Sequence, residues 1–373
     1  RDFCLSRGLG DVYKRQVGKA NKMDANGDER EYYEGAGNYD RESVRFFDVA
    51  HEGAQLRAVG EITGELSRLH GLNPRSVVVV GIDQIARAAA RAVVALRSPL
   101  TLPVLVTDAV PSYVGPLDVV LVVGDAATRE EDLRGLVTAA ARGAETVLAG
   151  PSRGPLLDDA PATTIVLPAL PTAAGPSPAR TIASTTVVLD ALAGDTDVIS
   201  QELKVLADEV DAELTSLSPE RDASMNPARQ LREFVADSRV VHSGTTRCGA
   251  AVAALIAELW SARGIPSGFV AAEELHLARE FSRPPGSGEV DDLFHDPFLD
   301  GPVELVPLKT ILWAQAAGAD GTVPENALVI PNSRVESVEA TELGSTAQAL
   351  RLIARAYCLL YTSPSPRDRQ KSR

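Results

Sequence analysis

One strand–helix–strand unit, residues 117–150, constrains the fold of this chain more than any other stretch. Residues 119–123 are continuously apolar, which is typical of a strand buried on both faces in a parallel sheet. After the small-residue turn 124–127, Thr128 and Glu131 form a capping-box pattern that predicts a helix start. Gly143 predicts the helix end, and residues 146–149 predict the next strand. The unit therefore indicates an open α/β sheet, a class that binds ligands at the carboxyl ends of its strands.

The same alternation of strand and helix patterns continues on both sides of this unit. Further strands are predicted at 76–81, 104–107, 163–167, 239–244, 267–270, 305–313, 328–331 and 335–339, and helices at 43–70, 84–97, 179–192, 197–217, 249–263, 272–281 and 345–357. The sequence thus predicts an α/β protein of two doubly wound lobes, with parallel sheets flanked by helices. We expect a mobile lead-in over 17–42, a first lobe over 43–195, a bridging helix over 196–220 and a second lobe over 221–357.

The two ends of the chain have an unusual pattern. Residues 11–16 and 358–363 can be back-translated into stretches that are reverse complements of each other, apart from a one-base offset, and that look like the transposon end of sequencing-library adapters. We therefore expect residues 1–16 and 358–373 to be adapter-derived rather than native, and not to pack against the protein. A basic terminal arm that binds nucleic acid is the alternative. On the first interpretation the natural gene continues past Tyr357.

Charge and cysteine content exclude several classes of function. The full chain has a net charge of −14, and the two end segments contribute +5. The remainder of the chain therefore has a net charge near −19. Such an acidic protein is a poor partner for nucleic acid or an anionic membrane, and we predict neither. Cys248 is the one cysteine outside the end segments, which indicates the cytoplasm and excludes a disulfide framework. We predict no metal and no cofactor; His295 and Asp296 could suggest a metal, but a loop hydrogen bond is the favoured interpretation.

The first strand–helix–strand unit resembles the sugar isomerase (SIS) family of phosphosugar-binding domains. The matching residues are Thr128, Glu130, Glu131, Leu133, Arg142, Gly143 and Ala144. The ligand-facing turns depart from the family, because Gly124, Asp125 and Ala126 replace its serines and glycine, and Ile82 and Asp83 follow Gly81. A carboxylate repels a phosphate dianion, so we expect a poor phosphate cradle here. An ordinary α/β unit without a site is the alternative.

The second half is similar to the C-terminal half of bifunctional phosphoglucose/phosphomannose isomerases. The residues that carry this resemblance lie at 226–229 and 273–276. The residues at 293–296, 300–302 and 335–338 look closest to the TobH-like actinobacterial branch. The resemblance covers roughly residues 43–357. It implies a phosphorylated hexose as ligand, a site at the lobe or subunit interface, and a homodimer.

The resemblance also implies roles for particular residues. Glu258 matches the base that moves a proton between C2 and C1, and His276, one residue early, matches the group that opens the sugar ring. Gly81 and Thr128 fall at ligand-facing turns of the first lobe. Ser243, Thr245, Thr246 and Arg247 follow a strand and precede a helix, so they could bind the phosphate in place of the first loop. Each has an alternative: a solvated carboxylate, a packing histidine, or a polar turn with a helix cap.

Two functions follow. One is metal-free enediol isomerisation of glucose-6-phosphate or mannose-6-phosphate to fructose-6-phosphate, which Glu258 and His276 favour. The other is a catalytically inactive phosphosugar-binding or regulatory protein, which the altered turns of the first lobe favour. The fold by itself does not separate them.

Overall fold

The computed structural model describes residues 41–126, 129–170, 175–277, 306–315, 330, 332–339 and 342–360. The chain divides into two compact units, residues 1–45 and 46–373, and both sheets belong to the second. Several predicted features lie outside the described residues. They are those at 1–16 and 361–373, most of the lead-in, Thr128, residues 293–296 and most of the strand at 328–331.

The first sheet has five strands, all parallel. Its elements are α1 (Arg41–Val49), α2 (Glu52–Glu61), a 3-10 helix (Thr63–Leu69), β1 (Ser76–Gly81), α3 (Gln84–Leu96), β2 (Val104–Thr107), β3 (Asp118–Val123), α4 (Glu130–Ala141), β4 (Glu145–Ala149), α5 (Pro155–Asp158), β5 (Ile165–Val166) and α6 (Pro178–Ala191). The strand order is β2-β1-β3-β4-β5. All residues of β1 and β3 are buried, as their unbroken apolar sequences predict.

The second sheet has four parallel strands. Its elements are α7 (Thr196–Ser216), α8 (Pro227–Val235), β6 (Arg239–Gly244), α9 (Arg247–Ser261), β7 (Ser267–Phe269), a 3-10 turn (Leu275–Leu277), β8 (Leu308–Gln315), β9 (Ser333–Val338) and α10 (Gly344–Leu359). The strand order is β7-β6-β8-β9. The prediction of an α/β protein with parallel sheets flanked by helices is confirmed.

A single apolar cluster joins the two sheets. It contains side chains from β1 and β3 as well as from β6, β8, α9 and α10. Helix α3 of the first lobe contacts α9 of the second, and α7 contacts both α2 and α10. No described helix is long and apolar enough to cross a membrane.

A buried ionic cluster fixes the last helix. Glu213 on α7 is 2% exposed and pairs with Arg351 (3.2 Å) and Arg355 (2.8 Å) on α10. Arg355 also pairs with Glu336 on β9 at 2.9 Å, and Glu336 pairs with Arg334. The cluster therefore ties α10 to α7 and to the edge strand β9.

Four local predictions are wrong. The helix expected over 43–70 is three segments, with breaks around residues 50–51 and 62. The second break is followed by a 3-10 helix that contains Gly64, and glycine favours α-helix weakly. The helix expected over 272–281 is described only to residue 277, as a turn and a 3-10 segment. Helix α4 has Arg129 rather than Thr128 at its N-cap.

The fourth correction concerns the end segment that starts at residue 358. Cys358 and Leu359 are 1% and 0% exposed and belong to the main apolar cluster. Both are apolar and continue the buried face of α10 beyond Tyr357, so they pack whatever their origin. The expectation that this segment does not pack is therefore wrong for residues 358–359, while its adapter origin remains a prediction.

Candidate functional site

The order of the strands places one ligand-facing crevice in each sheet. In the first sheet the chain passes from β1 to β2 on one side and then to β3 on the other. In the second sheet it passes from β6 to β7 and then to β8 in the same way. Ligands of open α/β sheets bind where the winding direction reverses, outside the carboxyl ends of the strands. The two crevices are thus formed by the turns after β1 and β3 and by the turn after β6.

Carboxylates fill the first crevice. The Asp83 side chain caps α3 by accepting from the Ala86 amide (2.8 Å), and its other oxygen accepts from the Asp125 amide (3.0 Å). Gly81 ends β1 in a tight position, where a Cβ atom would lie 2.8 Å from the Arg87 nitrogen. The Gly81 carbonyl accepts from the Arg87 guanidinium at 3.0 Å. Gly81 therefore has a packing role here. The first amides of α3, those of Gln84 and Ile85, have no acceptor among the described residues, but the Asp83 carboxylate lies at the same helix start.

The Asp125 carboxylate has two donors of its own. Arg180 Nη1 donates to Oδ1 at 2.6 Å, and the Ser177 amide donates to Oδ2 at 2.9 Å. Arg180 is 1% exposed, and its other N–H groups donate to the carbonyls of Gly150, Leu167 and Pro168. Burial raises the pKa of Asp125 above its ordinary value, and Arg180 opposes that shift. Asp125 therefore already uses the Arg180 and Ser177 donors of this crevice.

Glu52 completes the acidic network and was not recognised from the sequence. It is 4% exposed on α2 and accepts from the Ala179 amide at the start of α6 at 2.8 Å. Burial raises its pKa to about 8, against the lowering effect of the Ser177 hydroxyl and the Ala179 amide. The available signal was the presence of Glu52 and Arg180 among apolar residues of their helices. Glutamate and arginine are rarely fully buried without partners, so these two could have been expected to interact.

The second crevice has the opposite chemistry. At Gly244 a Cβ atom would lie 2.1 Å from the Ala250 nitrogen, and at Gly249 it would lie 2.3 Å from the Trp313 carbonyl oxygen. The two glycines therefore allow the turn to lie directly against the start of α9. Thr246 caps the helix, because its hydroxyl accepts from the Gly249 amide at 3.0 Å. No carboxylate takes part in these contacts.

The first turn of α9 presents donors to the crevice. Among the described residues, the amides of Arg247 and Cys248 have no acceptor, as expected for the first N–H groups of a helix. Thr246 and Arg247 are exposed and Thr245 is half-buried. The Arg247 guanidinium donates to the Ser98 carbonyl of the first lobe at 3.5 Å. Unpaired amides, the positive end of the helix dipole and an arginine together favour an anion.

Ser243 lies apart from its three predicted partners. It is fully buried, and its hydroxyl has no hydrogen-bond partner among the described residues. Side chains alternate along β6, and His242 packs edge-on against Trp260 of α9 at 4.6 Å between ring centroids. Ser243 therefore belongs to the opposite face of the sheet from α9. The structure groups Thr245, Thr246 and Arg247 at the turn but not the Ser243 side chain.

His242 was also not recognised from the sequence as part of this region. Trp313 Nε1 donates to its Nδ1 at 3.0 Å, which leaves the proton on Nε2. Burial lowers its pKa to about 3. The imidazole is therefore neutral at physiological pH and acts in packing between two tryptophans.

Glu258 lies between the lobes, far from the turn. It follows Arg247 by eleven residues in α9, a separation of about 16 Å along the helix axis. Gln84 of the first lobe donates to its carboxylate. Beside this contact is an open cleft of about 250 Å³, lined by Asp83, Gln84, Ile85, Pro176, Ala262 and Arg263. Glu258 thus contacts Gln84, a lining residue of the interlobe cleft, and lies near the first crevice rather than the second.

His276 lies in the 3-10 turn on the far side of the second sheet. Its neighbour Leu275 clusters with Leu312 and Val241, and Val241 faces away from the side on which His242 meets Trp260. Leu275, next to His276, and helix α9, which carries Glu258, therefore lie on opposite faces of the second sheet. Thr128 lies outside the described residues. In the described part of the chain, no cluster of three histidine, cysteine or acidic residues could hold a metal ion.

The sequence matches no protein-family model, and it matches no curated protein. Solved structures with the same fold include the C-terminal domain of glucosamine-fructose-6-phosphate aminotransferase from Francisella tularensis, with 11% identity, TM-score 0.57, and coverage of 87% of this chain and 97% of that one. A candidate phosphosugar isomerase from Silicibacter pomeroyi DSS-3 has 14% identity, TM-score 0.54, and coverage of 85% and 96%. Glucosamine-6-phosphate deaminase from Thermotoga maritima has 12% identity, TM-score 0.52, and coverage of 86% and 93%. The chain has the two-sheet fold of these proteins.

Proposed function

We propose that the protein belongs to the SIS family and binds a phosphorylated sugar, with the phosphate at the turn between β6 and α9. The observation that carries the proposal is the contrast between the two crevices. The second has unpaired amides at Arg247 and Cys248 beside an exposed guanidinium. In the first, the Asp125 carboxylate already uses the donors of Arg180 and Ser177.

The turn suits a phosphate monoester in particular. A phosphate dianion accepts several hydrogen bonds at once, and amides at a helix start supply them together with favourable electrostatics. Thr245 and Thr246 add hydroxyls at the rim, and Arg247 adds a planar, charged donor group. The sugar as ligand class is supported by the shared fold with proteins whose names refer to fructose-6-phosphate and glucosamine-6-phosphate.

The distance to Glu258 favours binding without isomerisation. A phosphate on the first turn of α9 leaves Glu258 about 16 Å further along the helix axis, which is more than the length of a hexose phosphate. A base must lie within hydrogen-bond reach of the proton it removes. A sugar anchored at this turn therefore cannot present its C2 proton to Glu258.

A second candidate function is isomerisation of glucose-6-phosphate or mannose-6-phosphate to fructose-6-phosphate. The contact between Glu258 and Gln84 at the interlobe cleft favours it, because a sugar in that cleft would meet a carboxylate. On this proposal Glu258 is the base, and His276 of a second copy opens the ring in a homodimer. We propose a cytoplasmic location for either function, which the single cysteine outside the end segments supports.

Calorimetric titration with fructose-6-phosphate tests the first candidate. We expect Arg247→Ala to weaken binding by roughly tenfold or more, because a charge-assisted contact is lost. Arg153→Ala, which removes an exposed arginine elsewhere in the first lobe, is the matched control and should bind normally. Equal affinities of the two variants would refute the assigned site.

A coupled isomerase assay separates the two candidates. The binding function predicts no turnover in the wild-type protein. The isomerase function predicts turnover that falls by roughly 10²–10⁴-fold in Glu258→Gln, the usual contribution of a positioned base.

A further inference from the structure

The Asp125 carboxylate occupies the position in the first lobe where an external anion would bind. It lies after β3, at the carboxyl edge of the sheet, and beside the turn that follows β1. We propose that Asp125 is a built-in anion in a latent phosphate site, and that this residue closes the first lobe to phosphorylated ligands. This goes beyond the proposed function, which concerns the turn after β6.

The donors around Asp125 form a complete anion site. A buried guanidinium donates to one carboxylate oxygen at 2.6 Å, and the Ser177 amide, next to the start of α6, donates to the other at 2.9 Å. Arginine and backbone amides before a helix are the groups that proteins use to bind phosphate. If Asp125 only repelled phosphate by its charge, the Arg180 and Ser177 donors would not need to converge on it.

The position of Arg180 does not depend on Asp125. Three backbone carbonyls, those of Gly150, Leu167 and Pro168, accept from its Nε and Nη2 groups at 2.7–3.2 Å. Nη1 donates to Asp125. Removing the carboxylate therefore leaves the guanidinium in place with one charged donor group unpaired.

The other acids nearby would not replace the lost carboxylate. Glu52 accepts from the Ala179 amide rather than from the Arg180 guanidinium, and burial is the main cause that raises its pKa. Asp83 accepts from the Ala86 and Asp125 amides, and both bonds are to main chain that an alanine at 125 retains. A buried arginine without a counter-ion is costly, so it provides a driving force for binding an external anion.

The latent site opens towards solvent. The Asp125 side chain is 16% exposed, whereas Arg180 behind it is 1% exposed. Asp83, which accepts from the Asp125 amide, and Pro176, which precedes Ser177, both line the interlobe cleft. A phosphate on Arg180 would therefore enter from the interlobe cleft.

The test uses inorganic phosphate and the full chain carrying Arg247→Ala, which weakens the site proposed after β6. We expect the double variant Asp125→Ala/Arg247→Ala to bind phosphate at least tenfold more tightly than Arg247→Ala alone, measured by calorimetry and by a phosphate-dependent rise in Tm. The control Asp222→Ala/Arg247→Ala removes one exposed carboxylate and the same net charge, and it should show no gain.

The proposal would be overturned if Asp125→Ala/Arg247→Ala bound phosphate no more tightly than the control Asp222→Ala/Arg247→Ala. This outcome is independent of the result for the turn after β6. If the alanine variant unfolds, Asp125→Ser/Arg247→Ala is measured in the same way. Folding of either variant only when phosphate is added supports the proposal. Failure of both to fold or to bind in the presence of phosphate contradicts it.

Discussion

The buried carboxyl of Glu52 should make the stability of this protein depend on pH in an unusual direction. Its pKa is about 8 in the folded protein, against 4.5 for an exposed glutamate. Between these values the folded state holds a proton that the unfolded chain has released. The free energy of unfolding therefore falls as the pH rises through this window.

The magnitude follows from the size of the shift. A change of pKa from 4.5 to about 8 corresponds to about 5 kcal/mol across the whole window, or about 1.4 kcal/mol per pH unit. Glu52→Gln keeps the shape and an acceptor for the Ala179 amide but cannot ionise. The advantage of the variant over wild type should therefore grow by about 4 kcal/mol between pH 5 and pH 8.

Urea denaturation followed by the fluorescence of the buried Trp260 and Trp313 measures this difference. Glu61→Gln, an exposed position on the same helix, is the matched control and should show no such trend. A difference between Glu52→Gln and wild type that stays constant from pH 5 to pH 8 would contradict a raised pKa of Glu52, because the carboxyl would then be ionised in both states.

Two further predictions concern packing of the last helix. Glu213→Ala should destabilise the protein by about 1–3 kcal/mol by urea denaturation, because Arg351 and Arg355 each lose one partner. They keep their pairs with Glu209 and Glu336. Asp208→Ala, which breaks an exposed pair, should cost less than about 1 kcal/mol. Leu359→Ala should cost about 2–5 kcal/mol because the side chain is fully buried; a cost no larger than that of the exposed Leu343→Ala in thermal unfolding would restore the expectation that the end segment does not pack.

The fold could be predicted because its signal is local. The unbroken apolar runs of β1 and β3 identify strands buried on both faces, and the intervening helices follow from apolar spacing. The boundaries of the helices and strands were harder to predict from the sequence. The long helix expected over 43–70 breaks around residues 50–51 and 62, and the apolar spacing of the sequence continues across both breaks.

The candidate site could be predicted only in part. The turn of Thr245, Thr246 and Arg247 was accessible because it follows a strand and precedes a helix. The pairing of Asp125 with Arg180 could not be predicted from the sequence, since the two residues lie 55 positions apart and meet only once the sheet has formed. The Ser243 side chain lies apart from this turn because side chains alternate along β6, which places it on the face of the sheet opposite α9.

The two crevices are distinguished by where a bound phosphosugar lies on the protein. Titration of isotopically labelled protein with fructose-6-phosphate, followed by the shifts of its backbone amide signals, identifies the crevice that binds. We expect the largest shifts at Arg247 and Cys248 in the first turn of α9, with little change at Asp125. Shifts concentrated at Asp83, Gly124 and Asp125, or no saturable shift at all, would contradict it.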